Sequence, residues 1–345
     1  MKVSVIIPTY NREKLVQEAI ASVMQQSYRD VEIIVIDDGS TDCTEQALKR
    51  FSRDIRYIKQ ENRGVNAARN HAVELARGEY IALLDSDDLW REFKLALEVS
   101  ILDARPEIGF VFGDFFVLKP DGRLAPNGLH YWFDGTPDWG RLYSTSVQWP
   151  LEGIAGTDAA GRSCVPVYFG DVYHSSLYGP RVLPSASIFR KSKAEDWLRF
   201  NEHDSQCGDW AFFAELSHRH GAAFIDLEIA FNRSHEDAVR LTRVDRRIRI
   251  ENRLDMIARL WKRDPVFYAQ HHHAVDGELT RLWSLQLKQC LLAGDVAQAK
   301  RAIAELDRLP STGLGAQTKL YRMLALVPGS SRWLSWLRTI RSSIG

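Results

Sequence analysis

Between Leu84 and Trp90 the chain reads L-D-S-D-D-L-W, setting Asp85, Asp87 and Asp88 at the mouth of an apolar run. Carboxylates this close repel and raise one another's pKa, so the cluster is costly unless a cation, a proton or a polar ligand offsets it. Capping of the following helix, a common use of Asp, accounts for one of the three. A hard divalent cation accounts for the others, because Mg²⁺ or Mn²⁺ prefers carboxylate oxygens and keeps positions open for water and substrate phosphates. Asp-x-Asp on a strand-end turn therefore suits a cation shared with a diphosphate, and Asp88 is left as the cap.

Asp37 and Asp38 open the run D-D-G-S-T-D, which reads on its own as a turn followed by an N-cap. Taken with Pro8-Thr9-Tyr10-Asn11-Arg12, it also frames a pocket for a planar base, Tyr10 stacking and Asp38 accepting from a ring N–H. Neither G-x-G-x-x-G nor G-x-x-x-x-G-K-[ST] occurs, which argues against a Rossmann dehydrogenase or a P-loop NTPase. A diphosphate must then be held by metal and side chains.

The elements that must carry these residues alternate. V-S-V-I-I-P (Val3 to Pro8) predicts a buried strand, and Asn11 is placed to cap a helix with apolar Leu15, Val16, Ala19, Ile20, Val23 and Met24 at helical spacing. A strand over Val31 to Asp38, a helix from about Asp42, a strand near Ile55 to Gln60, a helix over Asn66 to Ala76 and a strand over Tyr80 to Asp85 follow. This order calls for a largely parallel, doubly wound α/β sheet with right-handed crossovers. Ligands bind beyond the carboxyl ends of such strands, so Pro8–Arg12, Asp37–Asp42 and Asp85–Asp88 are expected on one rim.

From about 120 to 183 the periodicity gives way to an aromatic-rich stretch that includes Trp132, Trp139, Trp149, Tyr131, Tyr143, Tyr168, Tyr173 and Tyr178, expected to be a structured insertion. Single aromatics there read as packing, and the group as an acceptor-side wall. A helix over Gly208–His220 and a strand over Ala222–Asn232 complete a domain at 1–242, and a helical region at 243–345 contains two helices joined at Gly294. His271–His273 point different ways on a helix and read as a solvated face. Trp333, Leu334, Trp336, Leu337 and Ile340, flanked by arginines, form an amphipathic helix suited to a membrane interface or to packing on protein.

Lys plus Arg equals Asp plus Glu, 45 each, so no global field points to nucleic acid. The four cysteines lack metal or disulfide spacing, and a reducing cytoplasm is expected. The chain opens on a strand-like run with no signal-peptide pattern, and no apolar run reaches a bilayer's thickness.

Three separated segments, V-S-V-I-I-P-T-Y-N-R through D-D-G-S-T-D-C-T, N-R-G-V-N-A-A-R-N through L-L-D-S-D-D, and G-D-W-A-F-F-A-E-L, together resemble the family-2 glycosyltransferases with the GT-A fold. The resemblance runs through residues 3 to 100 and resumes over 184 to 243. It implies a mixed, mainly parallel GT-A sheet flanked by helices, with a C-terminal helical appendage. It also implies an inverting transferase that moves a sugar from a nucleoside diphosphate sugar, a UDP-sugar favoured, to a hydroxyl of a glycan, a lipid-linked glycan or another acceptor. Polysaccharide or glycoconjugate synthesis is the expected setting.

Carried over by position, Pro8, Thr9, Tyr10 and Arg12 line the nucleoside pocket, Asp38 reads the base and Arg69 contacts the nucleotide. Asp85 and Ser86 face the donor, and Asp87 ligates the Mn²⁺ or Mg²⁺. His235 falls where many members bring a histidine to the metal, against a plain surface-loop reading. The family's Glu-Asp pair is here Gly208-Asp209, which keeps the second acid, Asp209, as general base and removes one that could tune it or orient the acceptor.

A second class remains open: a nucleotide-sugar-binding scaffold that has lost turnover and acts through its helical region. A nucleotidyltransferase would bring a Gly-rich basic loop near the first strand, and none is there. The expected location is cytoplasmic, with peripheral contact to the inner membrane face and self-association both compatible with the sequence.

Overall fold

The structure, a computed structural model, describes residues 1–131, 138–154, 161–194, 198–204, 206–234 and 245–310. It separates into two compact units, Met1–Val239 and Arg240–Gly345.

The first unit starts as an alternating strand and helix run: β1 (Val3–Thr9), α1 (Leu15–Met24), β2 (Val31–Asp37), α2 (Thr44–Leu48), β3 (Ile55–Lys59), α3 (Val65–Leu75) and β4 (Tyr80–Leu83). Every residue of β1 and β4 is buried, as their unbroken apolar runs require of strands covered on both faces. These four strands pair in parallel in the order β3-β2-β1-β4. After the two-residue β5 (Leu89–Trp90) comes α4 (Lys94–Ala104), then β6 (Phe110–Leu118), β7 (Leu124–Ala125), α5 (Trp139–Leu142), β8 (Thr145–Pro150), β9 (Cys164–Gly170), α6 (Tyr173–Ser176), β10 (Ser187–Arg190), α7 (Gly208–His220) and β11 (Ala222–Arg233).

The main path is β3-β2-β1-β4-β10-β6-β11-β9-β8, in which β9 and β10 run against the rest, and the two-residue β5 and β7 add antiparallel to β11 and β6. This is the mixed, mainly parallel GT-A arrangement. The described part of the aromatic-rich stretch forms the β8–β9 hairpin at the sheet edge, and Trp132 lies outside the described residues. Trp139, Tyr143 and Tyr168 pack around Phe224, with the Trp139 and Phe224 rings 4.3 Å apart. Trp139 and Tyr143 are core and the half-buried Tyr168 packs against it, whereas Tyr131 and Tyr178 remain exposed.

Behind β10 lies an ion pair fully out of water. Lys94 Nζ is 2.6 Å from Glu98 Oε2, reaches the Ser187 carbonyl and sits 4.2 Å over the Trp90 ring. Burial pushes Glu98 up to about 7 and lowers Lys94, although each partner opposes the shift. Lys94→Met alone should cost about 3–5 kcal/mol, whereas Lys94→Met with Glu98→Leu should be neutral or stabilising. Because the folded-state pKa of Glu98 lies above its unfolded value, folding takes up a proton there. That contribution is complete below about pH 4.3 and is lost as pH rises through about 7. Urea unfolding of Glu98→Gln across that range should lack this decline.

The second unit is helical: α8 (Arg246–Ile257), a five-residue π segment (Ala258–Lys262), α9 (Pro265–Ala293) and α10 (Val296–Arg308). Gly294 ends α9 at φ +75°, a left-handed conformation that favours glycine, and Asp295 caps α10 by accepting from Gln298 N–H. Leu287, Cys290 and Leu291 pack on Ala299, Ala302 and Leu306. His272 and His273 are exposed. The amphipathic segment at 332–341 lies outside the described residues. Among those described, no helix is long and apolar enough to cross a membrane.

Candidate active site

The loops after β1 and β2 are tied to each other. Asn11 takes a left-handed φ of +51°; its N–H donates to Ser40 Oγ at 2.9 Å, and its Oδ1 accepts from the N–H groups of Thr41 and Asp42 at 2.8 and 3.3 Å. Asn11 is therefore not the helix cap the sequence suggested; α1 starts at Leu15 with no side-chain cap. Asp42 completes the tie by accepting from Glu13 and Thr44 N–H. Asn11→Ala should lower stability by about 2 kcal/mol, losing the bonds to Asn11 Oδ1 and straining the left-handed φ. Asn11→Gly should cost less, because only the bonds go. Melting temperatures in the order wild type, Gly, Ala test this.

Asp37 and Asp38 are both buried. Asp37 accepts from Ser40 N–H and the Tyr57 hydroxyl. Asp38 accepts from Gln60 Nε2 (2.8 Å), Arg63 N–H (2.9 Å) and Gly64 N–H (2.8 Å), which fixes the loop entering α3. Pro8 and Thr9 are buried beside them, Tyr10 is exposed, and Thr9 Oγ1 is buried without a hydrogen-bond partner.

Asp85 to Asp88 form a turn closed by Asp88 N–H to the Asp85 carbonyl at 3.0 Å. Alternate residues face opposite ways: Asp85 and Asp87 are half-buried, Ser86 and Asp88 buried. Asp88 is not a helix cap. Its carboxylate accepts from Ser185 Oγ (2.5 Å), Asn232 Nδ2 (3.2 Å) and Arg233 N–H (3.0 Å). Burial first, then Asp87 and Asp85, pushes its pKa well above the ordinary range. Ser185 also accepts from Asp85 N–H and its carbonyl from Trp90 Nε1. The Arg233 side chain runs from the Asp87 carbonyl (3.1 Å) to Glu18 (2.6 Å). The turn is thus strapped from behind, leaving Asp85 and Asp87 forward.

On α3, the buried Arg69 guanidinium places Nη2 2.7 Å from Asp85 Oδ1 and Nη1 3.9 Å from Asp209 Oδ2. Its Nε has no hydrogen-bond partner. Asp209 stands in the first turn of α7, a third exposed. Burial raises its pKa, Arg69 opposes the rise and Asp85 adds to it. Arg12 Nη2 lies 3.8 Å from Asp87 Oδ2. One guanidinium therefore lies between the carboxylates of Asp85 and Asp209, and a second approaches Asp87.

Against known proteins, the family model described as glycosyl transferase family 2 matches residues 4–148. These residues belong to glycosyl transferase family 2. A β-1,3-glucosyltransferase of Escherichia coli, WfgD, whose name specifies UDP-Glc and a GlcNAc-diphosphoundecaprenol, is 37% identical over 135 residues, 37% of this chain and 53% of that protein. A Campylobacter jejuni β-1,3-glucosyltransferase named for a PP-undecaprenol glycan is 36% identical over 129 residues, 36% of this chain and 41% of its own length. The chain spans about half or less of these relatives. Staphylococcus aureus TarS 1-349, solved with UDP-GlcNAc, superposes with a TM-score of 0.60 at 17% identity, covering 97% of this chain and 88% of that one, a likeness of fold.

Of the residues assigned through the family-2 resemblance, the structure gathers Arg12, Arg69, Asp85, Asp87 and Asp209, and sets Pro8, Thr9, Tyr10 and Asp38 along the neighbouring rim. Ser86 points into the protein. His235 lies outside the described residues. Sequence reasoning missed Ser185, Asn232, Arg233 and Asn66. The last offered a signal, a carboxamide early in α3 beside Ala67 and Ala68, where both it and the alanines are buried.

Proposed function

We propose that this chain is an inverting glycosyltransferase that moves a sugar from a nucleoside diphosphate sugar, a UDP-sugar, to an acceptor hydroxyl in polysaccharide or glycoconjugate synthesis. The observation that carries this reading is the Asp85–Arg69–Asp209 arrangement, which puts a strand-end acid and a helix-borne acid on either side of one buried cation. Asp209, partly exposed, takes the proton from the acceptor hydroxyl as it attacks the anomeric carbon. Arg69 orients that carboxylate and keeps it from repelling Asp85. Thr9 Oγ1 and Arg69 Nε, buried without partners, are groups a bound nucleotide would satisfy. Asp38 accepts from the base, and Tyr10 covers its face.

Among the described residues no group of three or more His, Cys, Asp or Glu side chains is arranged to hold a metal. The forward carboxylate of Asp87 nevertheless fits Mg²⁺ or Mn²⁺, which bind through one or two carboxylates together with substrate phosphates and water. Asp87 would hold it, with His235 as the further candidate ligand. A bound cation supplies electrostatic stabilisation of the departing diphosphate.

The relatives' names point to a UDP-sugar donor and a lipid-linked glycan acceptor. Release of UDP or GDP from a panel of UDP- and GDP-sugars, with Mn²⁺ or Mg²⁺ and an undecaprenyl-diphosphate glycan as acceptor, tests the reading. The expected result is UDP release that Asp87→Ala abolishes, with an inverted anomer in the product by NMR. Tight UDP binding with no turnover on any of them would instead identify a scaffold.

A further inference from the structure

Gly208 adjoins the proposed base, and its backbone is ordinary helix, so conformational freedom does not explain a glycine there. Space does. A Cβ at this position would fall 2.1 Å from Asn66 Nδ2 and 2.9 Å from Asn66 Cγ. Asn66 is 3% exposed, and its carboxamide cannot swing aside freely. Nδ2 donates to the carbonyls of Asn201 (2.9 Å) and Asp204 (2.7 Å), and Oδ1 accepts from Arg69 Nη1 at 3.4 Å.

We propose that Asn66 is a positioning residue for Asp209, forming with Gly208 a mutually dependent pair that fixes the first turn of α7 against α3. This inference rests on the reading of Asp209 as base. The connection is short. Asn66 holds the Asp204 carbonyl, the Asp204 carboxylate accepts from Gln206 and Cys207 N–H (3.0 and 2.8 Å), and Cys207 leads directly into Gly208 and Asp209. Asn70, one turn along α3, pairs with both the N–H and the carbonyl of Phe200, so the same helix clips both ends of the 200–204 loop. Asn66 also touches the guanidinium nitrogen nearest Asp209. A neutral carboxamide from α3 thus fills the space beside the base where the Glu-Asp pattern expects a carboxylate. It donates to backbone where an acid could only accept.

The test is a double-mutant cycle over wild type, Asn66→Ala, Gly208→Ala and the double variant. Melting temperature, UDP binding by calorimetry and UDP release from UDP-GlcNAc and UDP-glucose with Mn²⁺ are measured for each. Gly208→Ala should lower kcat about 100-fold and the melting temperature with it, since ångström-scale misplacement of a catalytic group has that effect. The same change on an Asn66→Ala background should add little to either. Asn66→Ala alone should lower kcat about tenfold with the KM for the UDP-sugar unchanged.

Additive melting temperatures around the cycle overturn the pair. Wild-type kcat in Asn66→Ala, with Asp209→Asn inactive, overturns the positioning role and leaves the functional reading standing. Full kcat in Asp209→Asn overturns both. If the wild type releases no UDP from either donor and binds none, the functional reading and the positioning role fail together, and the melting cycle decides the pair by itself.

Discussion

Asp209→Asn is expected to lower kcat for sugar transfer about 10³-fold while leaving UDP affinity unchanged, because it removes the proton acceptor and little else. Asn is nearly isosteric, and its side-chain oxygen can still accept from Trp210 N–H as Asp209 does at 2.7 Å. A catalytic base must be ionised, and burial holds Asp209 above an ordinary carboxylate against the pull of Arg69. The acidic limb of the pH–rate profile should therefore lie above about pH 3.9. Arg69→Met should move that limb higher, since the opposing cation is gone and Asp85 remains. Stopped assays of UDP release between pH 4 and 8 read both effects, and an Asn variant within tenfold of wild type would refute the role of Asp209.

Asp88→Ala should have a large effect on folding, about 3–5 kcal/mol, because it leaves the half-buried Asn232 amide and Arg233 N–H without their acceptor and frees the buried Ser185. Asp88→Asn should cost less and should change the pH dependence. The folded-state pKa of Asp88 is raised, so folding takes up a proton. Its contribution is complete below about pH 3.9 and is lost as pH rises through the folded value. The Asn variant should lose that slope, which denaturant midpoints at several pH values will show. An Asp88→Ala protein as stable as wild type would mean that the turn is held by its own backbone.

Much of the site was legible because its signals are local. The strand-end positions of Asp38, Asp85 and Asp87 follow from apolar runs that stop at acids, and the parallel order of β1 to β4 follows from alternation. Asp88 was misjudged because its burial depends on Ser185, Asn232 and Arg233, which nothing near Asp88 announces. Asn11 was misjudged because a residue preceding a helix reads as a cap, while its left-handed backbone and its bonds to the β2 loop are tertiary facts. The antiparallel insertion of β10 was invisible for a similar reason: a four-residue strand between β4 and β6 carries no periodic signal of its own. Gly208 could be seen as a departure from the family pattern, but its cause, the Asn66 carboxamide, appears only when α3 and α7 are brought together.

The straps behind the acidic turn also set an order of assembly. Ser185 lies 97 positions from Asp88, and Asn232 and Arg233 lie 144 and 145 away. Contacts closing loops of that length form only after their entropy cost has been met elsewhere, so β1 to β4 can pair well before the turn is locked. The turn takes its final shape when β10 and β11 arrive, as does Asp209 on the helix between them. Residues 4–148, the stretch that sequence similarity recognises, contain Asp85, Asp87 and Asp88 but neither the straps from Ser185, Asn232 and Arg233 nor Asp209. A fragment cut to that stretch should keep the family's signature and lose its chemistry.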